Sequence, residues 1–273
     1  MRACAVHSCL APSDRGYPSE PKRGAHLHRE IMREIVNHLQ FTKNDIWSPD
    51  ALPRLPGSVR DADVGIPPTL FSIPDTNGGT RALVGVGDKT GNYYVMDRSS
   101  LDVVWQRQVS QGSLIGGFQS TAAYVDGVLY ITAHEDFFGE PLFTNPLVGG
   151  NQSVRYAYGS RSNLKAVDAA TGEVHWEKTI QGPTSFSPLI ISNGVLYFGG
   201  ADGIVRAYEA SSGDLLVELP GLQTRPEAHP IEGEDAVPRT SAVASMSISH
   251  GHLFVSHLGF GVPLGGMLVY SLP

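Results

Sequence analysis

Chemistry in this chain would have to come from a few carboxylates, a lysine in a turn and a scatter of histidines. Asp61 and Asp63 stand two residues apart at the end of a Pro-rich loop, and Asp45 stands at its start. Such carboxylates suit a cation, because Ca²⁺ takes carboxylate oxygens, and a single one suits the work of a general base. The competing account is a loop capped by Asx-turns. His250, His252 and His257 lie in one strand region without a nearby fourth ligand, which favours strand histidines over a metal site. Cys4 and Cys9 are the only cysteines, both in the N-terminal segment, so neither staples the main body. No Walker loop, His-Glu-x-x-His, Gly-x-Ser-x-Gly or Cys-x-x-Cys-His sequence occurs.

Composition narrows the class. The 20 Lys and Arg against 27 Asp and Glu leave a net charge of −7, which excludes binding to nucleic acid through a basic stripe. Apolar residues make up 41% and charged residues 17%, with 31 Gly and 19 Pro, the profile of a turn-rich, globular β protein. No apolar run approaches the roughly 18 residues of a membrane-spanning helix. His7, Asp14, Arg15, Glu20, Lys22 and Arg23 interrupt the N-terminus without an apolar stretch, so no signal peptide is expected there.

The elements that must position the chemistry repeat. After Thr69, short β-branched and aromatic runs alternate with Gly, Asp and Asn, which predicts strands and no helix. Asp97 to Trp105 matches Asp168 to Trp176, the acid preceding the Trp by eight residues in both. A third copy runs from Glu209 to Val217, with Val217 at the Trp position, and the step of 41 residues from Asp168 to Glu209 is the period of a propeller blade. Asp126-Gly127, Asn193-Gly194 and His250-Gly251 each precede a strand that ends in an aromatic residue. Their spacing predicts an insertion of about 26 residues at 134–160. In Asp168-Ala-Ala-Thr-Gly172 the acid is expected to accept backbone N–H bonds two and three residues on. Gly172 is expected at positive φ and Trp176 flat against the next blade. The first copy departs from Thr-Gly, with Leu101 in place of the glycine, which predicts a different turn there.

The repeat Ala-x-Asp-x-x-Thr-Gly-x-x-x-Trp resembles that of pyrroloquinoline quinone (PQQ) type propellers. Asn44-Asp45-Ile46-Trp47, then Asp61 to Phe71, then Val84 to Arg98 resemble in order the C-terminal half of polyvinyl-alcohol dehydrogenase-like quinoproteins. The resemblance covers residues 41–273. It implies an all-β fold, a partial β-propeller of about four four-stranded blades, behind an extension at residues 1–40. The extension is disordered or partly helical, since Leu27, Ile31, Ile35 and Leu39 recur at helical spacing; the family favours a decayed closing strand over Glu34 to Phe41, with Asn37 at the Trp position.

The same resemblance implies the function. Alcohol oxidation would pass electrons through PQQ to an external acceptor, with a small or polymeric alcohol as substrate. Lys89 would hydrogen-bond the quinone oxygens, Asp45 and Trp47 would line the cofactor site, and Asp61 and Asp63 would serve catalysis. Calcium is implied with PQQ; its ligands are not assigned, and a chain that binds neither is the alternative. That alternative is a non-catalytic scaffold or binding module on the same fold. The family is periplasmic or secreted, whereas the expected lack of a signal peptide leaves the cytoplasm open. Eight blades at about 41 residues each need roughly 330 residues, so an incomplete enzyme and self-association through exposed blade edges are expected.

Overall fold

The computed structural model describes residues 35–42, 62–112, 117–135, 161–181, 187–222, 242–258 and 265–272. Leu39–Pro273 forms one compact unit and Met1–His38 another. Residues 35–40 carry neither the helix nor the closing strand expected of them, and Ile35 and Val36 are exposed. A short helix or strand needs a buried face, and these side chains have none. The rest of the extension, with Asp45, Trp47 and Asp61, lies outside the described residues.

From Thr69 onward every described element is a strand. The first sheet holds β1 (Thr69–Pro74), β2 (Thr80–Gly87), β3 (Asn92–Asp97) and β4 (Val103–Gln108). The second holds β5 (Ala123–Val125), β6 (Val128–Glu135), β7 (Arg161–Asp168) and β8 (Val174–Gln181). The third holds β9 (Ile190–Ser192), β10 (Val195–Gly199), β11 (Val205–Glu209) and β12 (Leu215–Leu219). The fourth holds β13 (Ala242–Ser249), β14 (His252–Leu258) and β15 (Gly266–Ser271). Each sheet is antiparallel and runs in chain order, the pattern of consecutive propeller blades. The first three sheets have the four strands expected and the last has three among the described residues.

Turn chemistry sets the strand pairing. Asp126-Gly127, Asn193-Gly194 and His250-Gly251 all have positive φ at both residues, as a two-residue type I′ hairpin requires. Asp168 Oδ1 accepts the backbone N–H of Ala170 at 3.0 Å and of Thr171 at 2.8 Å, and Gly172 has φ 72°. The first copy does not form a different turn. Leu101 takes φ 61° and donates its N–H to Asp97 O at 2.9 Å, as Gly172 does to Asp168 O, so the chain accepts a strained leucine to keep the repeat geometry. Just before all three turns, the register slips by one residue, at Val95/Met96, Ala166/Val167 and Ala207/Tyr208. β6 runs through His134 to Glu135, which pairs with Arg161, leaving residues 136–160 between the strands.

The cores lie between the sheets. Leu83, Val95 and Trp105 of the first sheet pack with Leu129, Ile131 and Val167 of the second. Leu164 and Ile180 of the second pack with Leu196 and Phe198 of the third, and Val205 of the third with Val243 and Leu253 of the fourth. Trp105 Nε1 donates to Ala169 O at 3.0 Å, and Trp176 Nε1 to Ala210 O at 2.9 Å. Each indole covers the glycine of the next sheet's turn. A Cβ on Gly172 would stand 2.7 Å from Trp105 Cε3, and one on Gly213 the same distance from Trp176 Cε3. Gly172→Ala should therefore lower stability by about 2–4 kcal/mol, through overpacking on top of positive-φ strain. Gly127→Ala has φ 83° but meets nothing within 4 Å, and should lower it by about 1 kcal/mol, both read from urea unfolding midpoints.

Candidate functional site

Strand alternation sorts the connections into two groups. The short repeat turns at residues 98–102, 126–127, 169–173, 193–194, 210–214 and 250–251 leave from one end of their sheets. The β2–β3 turn, the β6–β7 and β14–β15 connections and the links between sheets leave from the other, and these include every connection longer than ten residues. Lys89 sits in the β2–β3 turn, at the end that carries the long connections.

The turn is built on a buried carboxylate. Asp88 is fully buried, and its Oδ1 accepts the Thr90 hydroxyl at 2.6 Å and the Asn92 N–H at 3.1 Å, while Tyr94 donates its hydroxyl to Oδ2 at 3.1 Å. Asn92 Nδ2 donates in turn to Thr90 Oγ1 at 2.8 Å. Burial, reinforced by the Asp88 carboxylate, pushes the Tyr94 phenol above its ordinary range, so it stays a donor. Phe41 stacks on Tyr94 with centroids 4.0 Å apart. From outside, Phe118 N donates to Asp88 O at 3.0 Å. Gly112 and Gly117, both at positive φ, press on the Lys89 backbone: a Cβ on either would lie 2.5 Å from its carbonyl oxygen or carbon.

Lys89 and Asp63, both singled out from sequence, meet here. Lys89 N donates to Asp63 O at 3.0 Å, and Lys89 Nζ lies 3.7 Å from Asp63 Oδ2. The lysine side chain is 21% exposed and the aspartate 66%, so most of the lysine side chain is covered while its partner faces solvent. An ammonium in that setting donates hydrogen bonds to electron-rich oxygens, and the carboxylate beside it accepts a proton or a cation. Asp88 was not singled out from sequence; its position next to Lys89 was the available signal.

Other candidates separate. His250 and His252 lie at the short-turn end and His257 at the opposite end of β14, so they form no common site. Among the described residues no group of three or more His, Cys, Asp or Glu could hold a metal ion. Trp105 and Trp176 are committed to the turns of the next sheet. A cavity of about 550 Å³ lies at the short-turn end, lined by Asp75, Thr80, Arg81, Asp97, Arg98 and Ser99. The Ser99 hydroxyl and N–H, with Arg81 at 3.2 Å, hold the Asp97 carboxyl well below the usual carboxylate range.

Comparison with known proteins agrees with the repeat. The family model described as outer membrane protein assembly factor BamB matches residues 138–237. Over that stretch the chain resembles PQQ-type repeats. It resembles the polyvinylalcohol dehydrogenase of Sphingopyxis sp. (strain 113P3), 26% identical over 172 residues, and that of a Pseudomonas species, 28% identical over 162 residues. Each match covers 58% of this chain and 23% of the relative, so the chain spans about a quarter of the length of these curated relatives. Among solved structures, a quinohemoprotein alcohol dehydrogenase from Pseudomonas putida HK5 aligns over 71% of this chain and 34% of its own, at 17% identity and a TM-score of 0.46.

Measured against a quinone cofactor, the described residues fit in part. The Lys89 ammonium is a donor of the kind a quinone oxygen would accept from, whereas no described cluster would supply a calcium cage. The geometry also separates structure from site. Gly117→Ala should lower stability by about 2–4 kcal/mol, because positive φ and a backbone contact coincide there. Lys89→Ala should lower it by less than about 1 kcal/mol, its ion pair being partly solvated. Urea unfolding of both variants checks the difference.

Proposed function

We propose that this chain forms the quinone-holding part of a PQQ-dependent alcohol dehydrogenase, oxidising an alcohol and passing the electrons to an external acceptor. The observation that carries this reading is the largely covered Lys89 side chain of the β2–β3 turn, whose ammonium lies beside Asp63. The similarity to polyvinylalcohol dehydrogenases supports it, and makes a polymeric or small alcohol the substrate class. PQQ, when bound, supplies the two-electron acceptor. Lys89 would hold a quinone oxygen by hydrogen bonding and stabilise negative charge on it. Asp63 would take the alcohol proton, with Asp61 its near neighbour in sequence, and Asp45 and Trp47 would complete the cofactor site. The periplasm is the compartment this reading favours; among the described residues no helix is long and apolar enough to cross a membrane.

A second reading has its own support. The assembly-factor model matches residues 138–237, a region without Lys89 or Asp63, and favours a non-catalytic binding or scaffold module. Thermal unfolding with PQQ and Ca²⁺ separates the two. A ligand at a hundredfold excess over its Kd adds about 2.7 kcal/mol, enough to raise Tm by several degrees. The rise is expected in the wild type and lost in Lys89→Ala. No rise in the wild type would overturn the enzyme reading and leave the module.

A further inference from the structure

Two turns of this protein share one backbone and one buried carboxylate, yet draw the carboxylate from different residues. In the β2–β3 turn, Asp88 N donates to Asn92 O and Gly91 N to Asp88 O; in the β10–β11 turn, Gly200 N donates to Ile204 O and Gly203 N to Gly200 O. Asn92 N is bound by Asp88 Oδ1 at 3.1 Å, and its counterpart Ile204 N by Asp202 Oδ1, also at 3.1 Å. Both are capped from beyond their own sheet, by Phe118 N of the β4–β5 link on Asp88 O and by Val243 N of β13 on Gly200 O. A Cβ at Gly200 would collide with the Asp202 carboxylate, so the two acids reach one place from opposite sides of the turn.

What faces the carboxylate differs. Asp202 is met by Arg206, two residues into β11 from Ile204, at 2.7 Å. The corresponding residue in β3, two beyond Asn92, is Tyr94, which meets Asp88 with a neutral hydroxyl. The third sheet thus closes its turn with an internal ion pair. The first closes its turn with hydrogen bonds alone, and the cation of that turn, Lys89, is directed to Asp63 instead. A buried carboxylate held by neutral donors costs more than one held by a cation, so this arrangement is not the one that stability alone would favour.

We propose that Asp88 is the positioning residue of the Lys89 site: clamped by Thr90, Asn92 and Tyr94, it fixes the turn so that the Lys89 ammonium is presented beside Asp63 to a ligand oxygen. The functional part of this inference rests on the quinone-holding role given above to Lys89; the positioning part is measurable without any ligand.

The test reads the exposure of the Lys89 amine directly. The full chain is treated with a limiting amount of N-hydroxysuccinimidyl acetate, and acetylation at Lys89 is quantified by peptide mass spectrometry. Asp88→Ala should raise it about threefold or more, the amine losing a partly solvated ion pair and its fixed turn. Asp202→Ala, which removes the matching acid from the third sheet, should leave Lys89 at the wild-type rate. Unchanged labelling in Asp88→Ala, or an equal rise in Asp202→Ala, would overturn the proposal. Tyr94→Phe deletes one hydroxyl and serves if Asp88→Ala does not fold; it too should raise labelling, and no rise overturns the proposal. PQQ and Ca²⁺ then separate the two claims. Faster labelling in Asp88→Ala, with no Tm rise in the wild type, would uphold positioning and reject the quinone role.

Discussion

No sheet of this protein can bury both of its faces alone, and everything else follows from that. A four-stranded antiparallel sheet satisfies its own backbone but leaves apolar side chains on two faces. Here each interior forms only where one sheet meets the next, as Leu83 and Trp105 do with Leu129 and Val167. The indole of Trp105 fixes the spacing, because its N–H must reach Ala169 O while its ring lies on Gly172. Trp176 does the same for the third sheet. Where Val217 takes the Trp place, the third sheet relies on apolar packing and on Val243 N donating to Gly200 O.

This division of labour frees one end of the sheets. The short turns spend their side chains on holding the repeat, with Asp97, Asp168 and Glu209 each at the same position before a positive-φ residue. Variation is then tolerated at the opposite end, where the turn backbone is held by its own hydrogen bonds and by chain from beyond its sheet. The β2–β3 and β10–β11 turns illustrate it: one backbone accommodates an Asp–Arg ion pair in one sheet and an Asp–Tyr hydrogen bond in the other. The first arrangement is closed on itself. The second directs its lysine out of the turn, to Asp63.

Much of the fold was legible in the residues. The 41-residue step, the Asp-x-x-Thr-Gly turn and the Trp eight residues on predicted strands, turns and inter-sheet packing, because each rests on local backbone preference or on the size of one side chain. Leu101 broke the rule in sequence and not in space. Tertiary packing imposed the positive-φ turn on a residue whose own preference opposes it. Residues 35–40 erred the other way, since their apolar spacing suggested a helix and the family resemblance a strand, and neither is present there.

The sequence by itself determined the repeat, the all-β class, the turn residues and the identity of the chemical groups, since these depend on neighbours within a few positions of one another. Only the tertiary structure decided which of those groups meet. Asp63 and Lys89 are 26 residues apart with β1 and β2 between them, and a hydrogen bond from Lys89 N to Asp63 O joins them. The histidines, close in sequence, are parted because a strand carries its two ends to opposite sides of a sheet. Which position of β3 meets Asp88 is likewise set by the pairing of β2 with β3, while the sequence decides that the residue there is a tyrosine.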